Sequence, residues 1–314
     1  MCIRDRFPSE ERGLATGLFN SGSNVSFFVA PAIVIWATAH FGWQAGFLAT
    51  GSMGLLWLVL WLIFPYDRLR RQQRPDDATV TQANVAHVVE RGTSGWPFYR
   101  VLLRNPGLYA FSIGKFLTDP IWWFYLFYLP KFLNETYRLD LKHAYWNIVC
   151  VYVISSFGSI GGGGLSGWLM KRGHSVNYGR KFAMLVMAIC VVPIVIVPHF
   201  GQIFPHNAWP ATVVIALAAA AHQGWSANIF STPTDMFPSR AISTVVGIGG
   251  AAGSLGGVLF TGIVGSYFSL HPLVIFGFAA CAYLLALAIF QSLVPRLGPP
   301  SEAEIPLSLS LIHI

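Results

Sequence analysis

The clearest chemistry in this sequence is a lysine and an aspartate four residues apart in the middle of an apolar stretch. Lys115 and Asp119 lie within GKFLTDPIWWFYL, residues 114–126. A spacing of four puts both side chains on one helix face, about 5–6 Å apart. A charge at membrane depth costs about 2.5–3.5 kcal/mol on insertion scales, so a pair kept there calls for a reason. Two reasons fit. In one, Lys115 attracts an anionic group while Asp119 balances charge or carries a proton. In the other, the two only neutralise each other. The readings are compatible, because a self-paired lysine can exchange its partner for a substrate carboxylate. Pro120 follows at once and predicts a kink or break.

Three further groups of residues carry polar chemistry. After Pro120 come Trp122, Trp123, Phe124, Tyr125 and Tyr128, which surround the helix with rings. Such rings stack on sugar faces or form an interfacial belt. The belt accounts for most of them, with Trp122 and Tyr125 as the candidates for a cavity wall. Asn20 and Asn24, with Ser23 beside them, give one helix face amide donors and acceptors. They bind a ligand or hold a neighbouring helix. His222, Gln223, Ser226 and Asn228 crowd another apolar stretch, so that stretch borders a cavity or a tight polar interface. His222 alone reads as a helix-contact histidine. Asp235 sits five residues before Arg240 and reads as a gate or loop salt bridge.

These residues need long apolar elements to hold them. Of 314 residues, 54% are hydrophobic and 11% charged, with mean hydropathy +0.56. Soluble domains carry about 25% charged residues. About 20 apolar residues cross a bilayer as a helix. Eight stretches meet that length, at about 14–39, 45–64, 107–129, 146–170, 182–198, 210–230, 244–268 and 273–294. The sequence therefore predicts an all-α integral membrane protein. The net charge of +7 does not indicate nucleic acid, because the basic residues flank the apolar stretches. Arg68, Arg70, Arg71, Arg74, Arg91, Arg100 and Arg104 follow the second, and Lys171, Arg172, Arg180 and Lys181 follow the fourth. Under the positive-inside rule these loops and both chain ends face the cytoplasm. Lys131, Arg138 and Lys142 depart from the pattern.

Glycines mark where helices approach closely. Gly158 and Gly161 to Gly164 crowd the fourth stretch, and Gly249, Gly253 and Gly257 form small-xxx-small repeats in the seventh. Cys150, Cys190 and Cys281 lie in apolar runs without metal-ligand spacing. No HExxH, GxSxG or phosphate-loop pattern occurs, so no metal, cofactor or enzymatic chemistry is expected.

At the level of motifs the chain resembles the major facilitator superfamily. The matching segments are FPSEERGLATG at 7–17 with Ala30-Pro31 and Phe41-Gly42-Trp43, GKFLTDPIWWFYL at 114–126 with LPKFL at 129–133, KRGHSVN at 171–177 with Arg180-Lys181, and HQGWSAN at 222–228. More narrowly they resemble bacterial hexuronate transporters of the anion:cation symporter family. The resemblance covers residues 7 to about 296 and matches helices five to twelve of an expected twelve. It implies a helical bundle in which 1–65 ends the N-terminal half, 66–105 is a cytoplasmic inter-half loop, 106–296 is the six-helix C-terminal half and 297–314 is a tail. Residues 1–6 and 307–314 read as non-native additions.

The resemblance also implies a fragment of a proton-coupled importer of a sugar-acid anion such as galacturonate or glucuronate, in a bacterial inner membrane. Its expected partners are that anion, protons as coupling ion and the lipid bilayer, with the protein a monomer. The expected lining residues are Lys115, Asn20, Asn24, Gln223, Asn228, Tyr125 and Trp122. Asp119 is the proton-coupling candidate, and Asp235, Arg240 and Arg172 are the gating candidates. No Asp precedes Lys171-Arg172, a departure from the superfamily's loop pattern. Two alternatives stand beside this reading: a carrier of another organic anion, such as an aldonate or aromatic carboxylate, and a membrane sensor that binds sugar acids without moving them.

Overall fold

A computed structural model describes residues 7–63, 96–140, 143–267 and 272–297. The polar stretch 64–95, Lys142, residues 1–6 and the tail from 298 lie outside the described residues. Eight long helical segments stand where the eight apolar stretches predicted them. They are α1 (Ser9–Phe41), α2 (Trp43–Ile63), α4 (Pro106–Tyr137), α5 (Tyr145–Lys171), α6 (Val176–Val191), α8 (Trp209–Ile229), α10 (Ser239–Tyr267) and α11 (Pro272–Leu293). Three short helices join them: α3 (Trp96–Leu102), α7 (Phe200–Ile203) and α9 (Thr232–Met236). No strand occurs among the described residues.

Seven of the long segments have the length and apolar composition to cross a membrane, counting Val176–Ile203 as one. The eighth, α4, has 32 residues, or about 48 Å of helix. Its central charges, Lys115 and Asp119, set it apart from those seven. Its ends follow local rules. The Asn105 side chain caps the Gly107 amide at 2.8 Å with Pro106 in the first turn, and Arg138 closes the other end in a left-handed conformation. Of the kink or break expected at Pro120, the break does not occur: the helix runs through both Pro120 and Pro130. Neighbouring helices hold it in place (α10 and α11 both pack along α4). In the fifth stretch, by contrast, Pro193 opens a 3-10 segment, Val192–His199, that also contains Pro198. Each proline removes a backbone donor, and the chain tightens there without leaving its axis.

The described residues divide into two compact units: 7–25 with 102–297, and 26–63 with 96–101. The division falls inside α1. Glycines explain why the first half of α1 belongs with the six-helix half. Added side chains at Gly13 and Gly17 would strike the backbone of Gly163 and Ser159 on α5, and one at Gly167 would strike the Glu10 carbonyl. The opposite face of α5 is equally close to α8: Gly158 abuts Ala220, and Gly162 abuts Gly224. Helix α5 therefore lies between α1 and α8 with backbone against backbone on both sides, an approach only small residues permit. The helix at the centre is α8, buried without interruption from Ala218 to Ile229. In the second unit, Gly46 of α2 sits against Val34 and Thr38 of α1. Most large side chains of α2, including Trp57, Leu60 and Trp61, are at least half exposed, as suits a helix facing lipid.

Candidate functional site

Lys115 and Asp119 form the ion pair that their spacing predicts. Lys115 Nζ lies 2.7 Å from Asp119 Oδ2. The lysine is 4% exposed, and its ammonium also sits 3.8 Å from the centre of the Phe230 ring. That adds a cation–π contact to the charge-assisted bond. Both charged groups open on a cavity of about 190 Å³. Helix α4 contributes Trp122 and Trp123 as well, α1 contributes Asn20 and Ser23, and α8 contributes His222, Gln223 and Ser226. The volume is below the roughly 300–1,000 Å³ typical of drug-sized ligands, so the wall suits a single small ring or chain. Gly253 of α10 makes room for the pair, because a side chain there would collide with the Asp119 carboxylate.

The structure brings together Lys115, Asp119, Asn20, Gln223 and Trp122 from the expected set, and it separates three others from them. Asn24 is fully buried behind Gln223, whose Nε2 donates to Asn24 Oδ1 at 3.0 Å. It orients a lining residue and does not line the cavity. Asn228 is also fully buried, and its Nδ2 donates to the carbonyls of Gly162 and Gly224 at 2.8 and 2.9 Å. It clamps α8 to α5. Tyr125 is 2% exposed and faces an apolar gap beside Phe124, Leu129 and Phe276. On a wheel of about 100° per residue, Asn228 stands about 140° from Gln223 and Tyr125 about 120° from Asp119. That angular offset was the signal that could have excluded both.

Ser23, Trp123, His222, Ser226 and Phe230 also line the cavity, beyond the expected lining set. The histidine does more than hold helices together. Its Nδ1 lies 2.6 Å from the Tyr283 hydroxyl, and its ring stacks on Trp122.

From the cavity onward, α1 is joined to α8 and then to the chain through α9 by polar pairs at every turn. Asn24 meets Gln223 at 3.0 Å, Asn20 donates to Ser226 at 3.3 Å, and Thr16 faces Ser231 at 3.5 Å. The last step is ionic. Arg12 Nη1 lies 3.0 Å from Asp235 Oδ1, and Arg180 Nε lies 3.0 Å from Asp235 Oδ2. Arg180 is fully buried and also donates to Ser166 Oγ and the Ser9 carbonyl, both at 2.9 Å. Asp235 thus binds α1 and α6 together through two arginines. Arg172, another expected gating residue, is elsewhere. The Arg172 guanidinium lies 3.8 Å over the Trp168 ring, which supplies a partner its own loop lacks. The Arg240 side chain lies outside the described residues.

A polar, charge-paired cavity between long lipid-length helices defines a multi-pass membrane protein of the solute-carrier class. Comparison with known proteins gives the family. The profile of the Major Facilitator Superfamily matches residues 2–261, and the chain belongs to that family, whose members are transporters and not enzymes. The chain is 28% identical over 265 residues to the hexuronate transporter of Escherichia coli K12, covering 83% of this chain and 60% of that protein. It is 28% identical over 193 residues to the galacturonate transporter of Dickeya chrysanthemi, covering 59% of this chain and 54% of the relative. A probable galactarate/D-glucarate transporter of Bacillus subtilis is 23% identical over 273 residues, covering 82% and 57%. The chain spans about 60% of the length of such curated relatives.

Proposed function

We propose that this protein carries a sugar-acid anion, a hexuronate such as galacturonate or glucuronate, across a bacterial inner membrane together with a proton. The observation that carries the reading is the buried Lys115–Asp119 pair open to a small polar cavity. A substrate carboxylate takes the place of Asp119 on Lys115 through a charge-assisted bond. Asp119, left without its counter-charge in a low-dielectric site, is then more cheaply kept with a proton than without one. One anion and one proton enter together, and neither is favoured alone. Asn20, Gln223 and Ser226 supply donors and acceptors for the sugar hydroxyls. The relatives named above, all carriers of sugar acids, support the same substrate class.

The Asp235 cluster supports a gate in this reading. It closes the seam that runs from α1 along α8 to α9, at the end of the bundle that carries Lys171, Arg172 and Arg180, the end the positive-inside rule assigns to the cytoplasm. Release of Arg12 from Asp235 frees α1 to part from α8 and opens the cavity to that side.

Binding of galacturonate by the purified protein, followed through the fluorescence of the cavity tryptophans, tests the reading. Saturable quenching is expected. Lys115→Ala should weaken it about 10- to 100-fold, the scale of one charge-assisted bond. Unchanged affinity in that variant would remove Lys115 from the site. Competition by galactonate or an aromatic acid stronger than by galacturonate would shift the substrate to another organic anion. Binding without counterflow in vesicles would identify a sensor.

A further inference from the structure

Lys115 and Asp119 account for a carboxylate but not for the flat wall beside them. Trp122 on α4 and His222 on α8 both border the cavity. Their rings stack with centroids 5.2 Å apart and planes 11° from parallel. Each ring has a further aromatic neighbour. Tyr283 of α11 holds His222 Nδ1 at 2.6 Å and stands edge-on to the imidazole, at 82°. Trp225 in turn stands edge-on to Tyr283, at 88°, and both are fully buried. Tyr152 of α5 meets Trp122 at 6.1 Å and 76°. Attraction of an anion needs none of this. A stack braced by three helices gives the cavity one surface of fixed shape, and fixed shape is how a binding site discriminates between solutes of equal charge.

We propose that Trp122 and His222 form a stacking platform, set in position by Tyr283, that selects closed-ring sugar acids over open-chain acids of the same charge. The proposal rests on the sugar-acid reading above and deepens it. A pyranose ring turns C–H groups outward on a flat face, and an aromatic plane accepts that face while the hydroxyls at the ring's edge reach Asn20, Gln223 and Ser226. An open-chain acid offers the same carboxylate and hydroxyls but no flat face. It must also freeze several torsions to fit, a cost the ring does not bear. Trp122 touches the sugar. Tyr283 acts through His222 and is a positioning residue.

Calorimetric titration of the purified protein with galacturonate and with galactonate, at one pH, tests this. The wild type should bind the ring acid about three- to tenfold more tightly, the range of one well-made aromatic contact. Trp122→Phe keeps a flat face and should keep most of that ratio, whereas Trp122→Leu should bring it to about one. Tyr283→Phe removes only the hydroxyl that holds the imidazole and should lower the ratio while both acids still bind. A purely structural tyrosine would weaken both acids equally and leave the ratio intact. A wild-type ratio near one, or an unchanged ratio in Trp122→Leu, overturns the platform and leaves the sugar-acid reading standing. Binding of neither acid by the wild type overturns both.

Discussion

At the scale of single residues, Asp119 separates proton coupling from plain anion binding. It is a lysine's partner at 2.7 Å and has no other assigned role. Asp119→Asn keeps the size and a hydrogen bond but can neither take up nor release a proton. Uptake of labelled galacturonate by cells expressing the gene should rise as the outside is acidified, and the asparagine variant should flatten that dependence. A dependence left intact would place the coupling proton elsewhere. The pair itself was legible in the sequence, because a spacing of four needs only one helix to act. The partners of Asp235 were not. Arg12 is 223 positions away and Arg180 is 55, so only the folded chain brings them together. Arg240, five positions away, was the visible candidate for want of that information.

At the scale of elements, Gly253 determines where Asp119 sits. Gly253→Ala would push a methyl group into the carboxylate, whose flexible end must give way. The Lys115–Asp119 bond should lengthen, and galacturonate affinity should change without loss of fold. Gly162 is less forgiving, because its neighbour is the Gly224 backbone. Gly162→Val should force α5 and α8 apart and cost about 1–3 kcal/mol, the usual price of overpacking, read as a lower unfolding temperature in detergent. Both glycines stood out in the sequence, Gly162 in a crowd of glycines and Gly253 in a small-residue repeat. Which partner each would meet did not, since the pattern marks a close approach but not the helix on the other side. The eight long helices were the most legible level of all: seven have both the length and the apolarity of a span, and α4 has the length. The helix through Pro120 was hidden because its continuity depends on α10 and α11 packing along it.

At the scale of the whole molecule, the buried charges around Asp235 make stability and opening depend on the same atoms. Asp235→Ala would leave Arg180 fully buried without a carboxylate, a loss of about 3–5 kcal/mol. The protein should express poorly or melt early. Pairing Asp235→Leu with Arg180→Met should restore much of that loss, because well-packed apolar groups replace a buried ion pair at little net cost. A melting temperature that stays low in the double variant would show that the arginine's bonds to Ser166 and Ser9 carry the stability instead.

The polar contacts that α1 makes along α8 and on to α9 also differ in strength along their length. The middle ones are neutral and long, at 3.3 and 3.5 Å, near the outer limit of a hydrogen bond. Only the last is ionic. Such a seam works like a zip with a clasp at one end. While the clasp holds, the teeth stay shut. Once it is undone they separate one at a time, at no more than about 0.5–1.5 kcal/mol each, so the helices can peel apart in small thermal steps with no single large barrier.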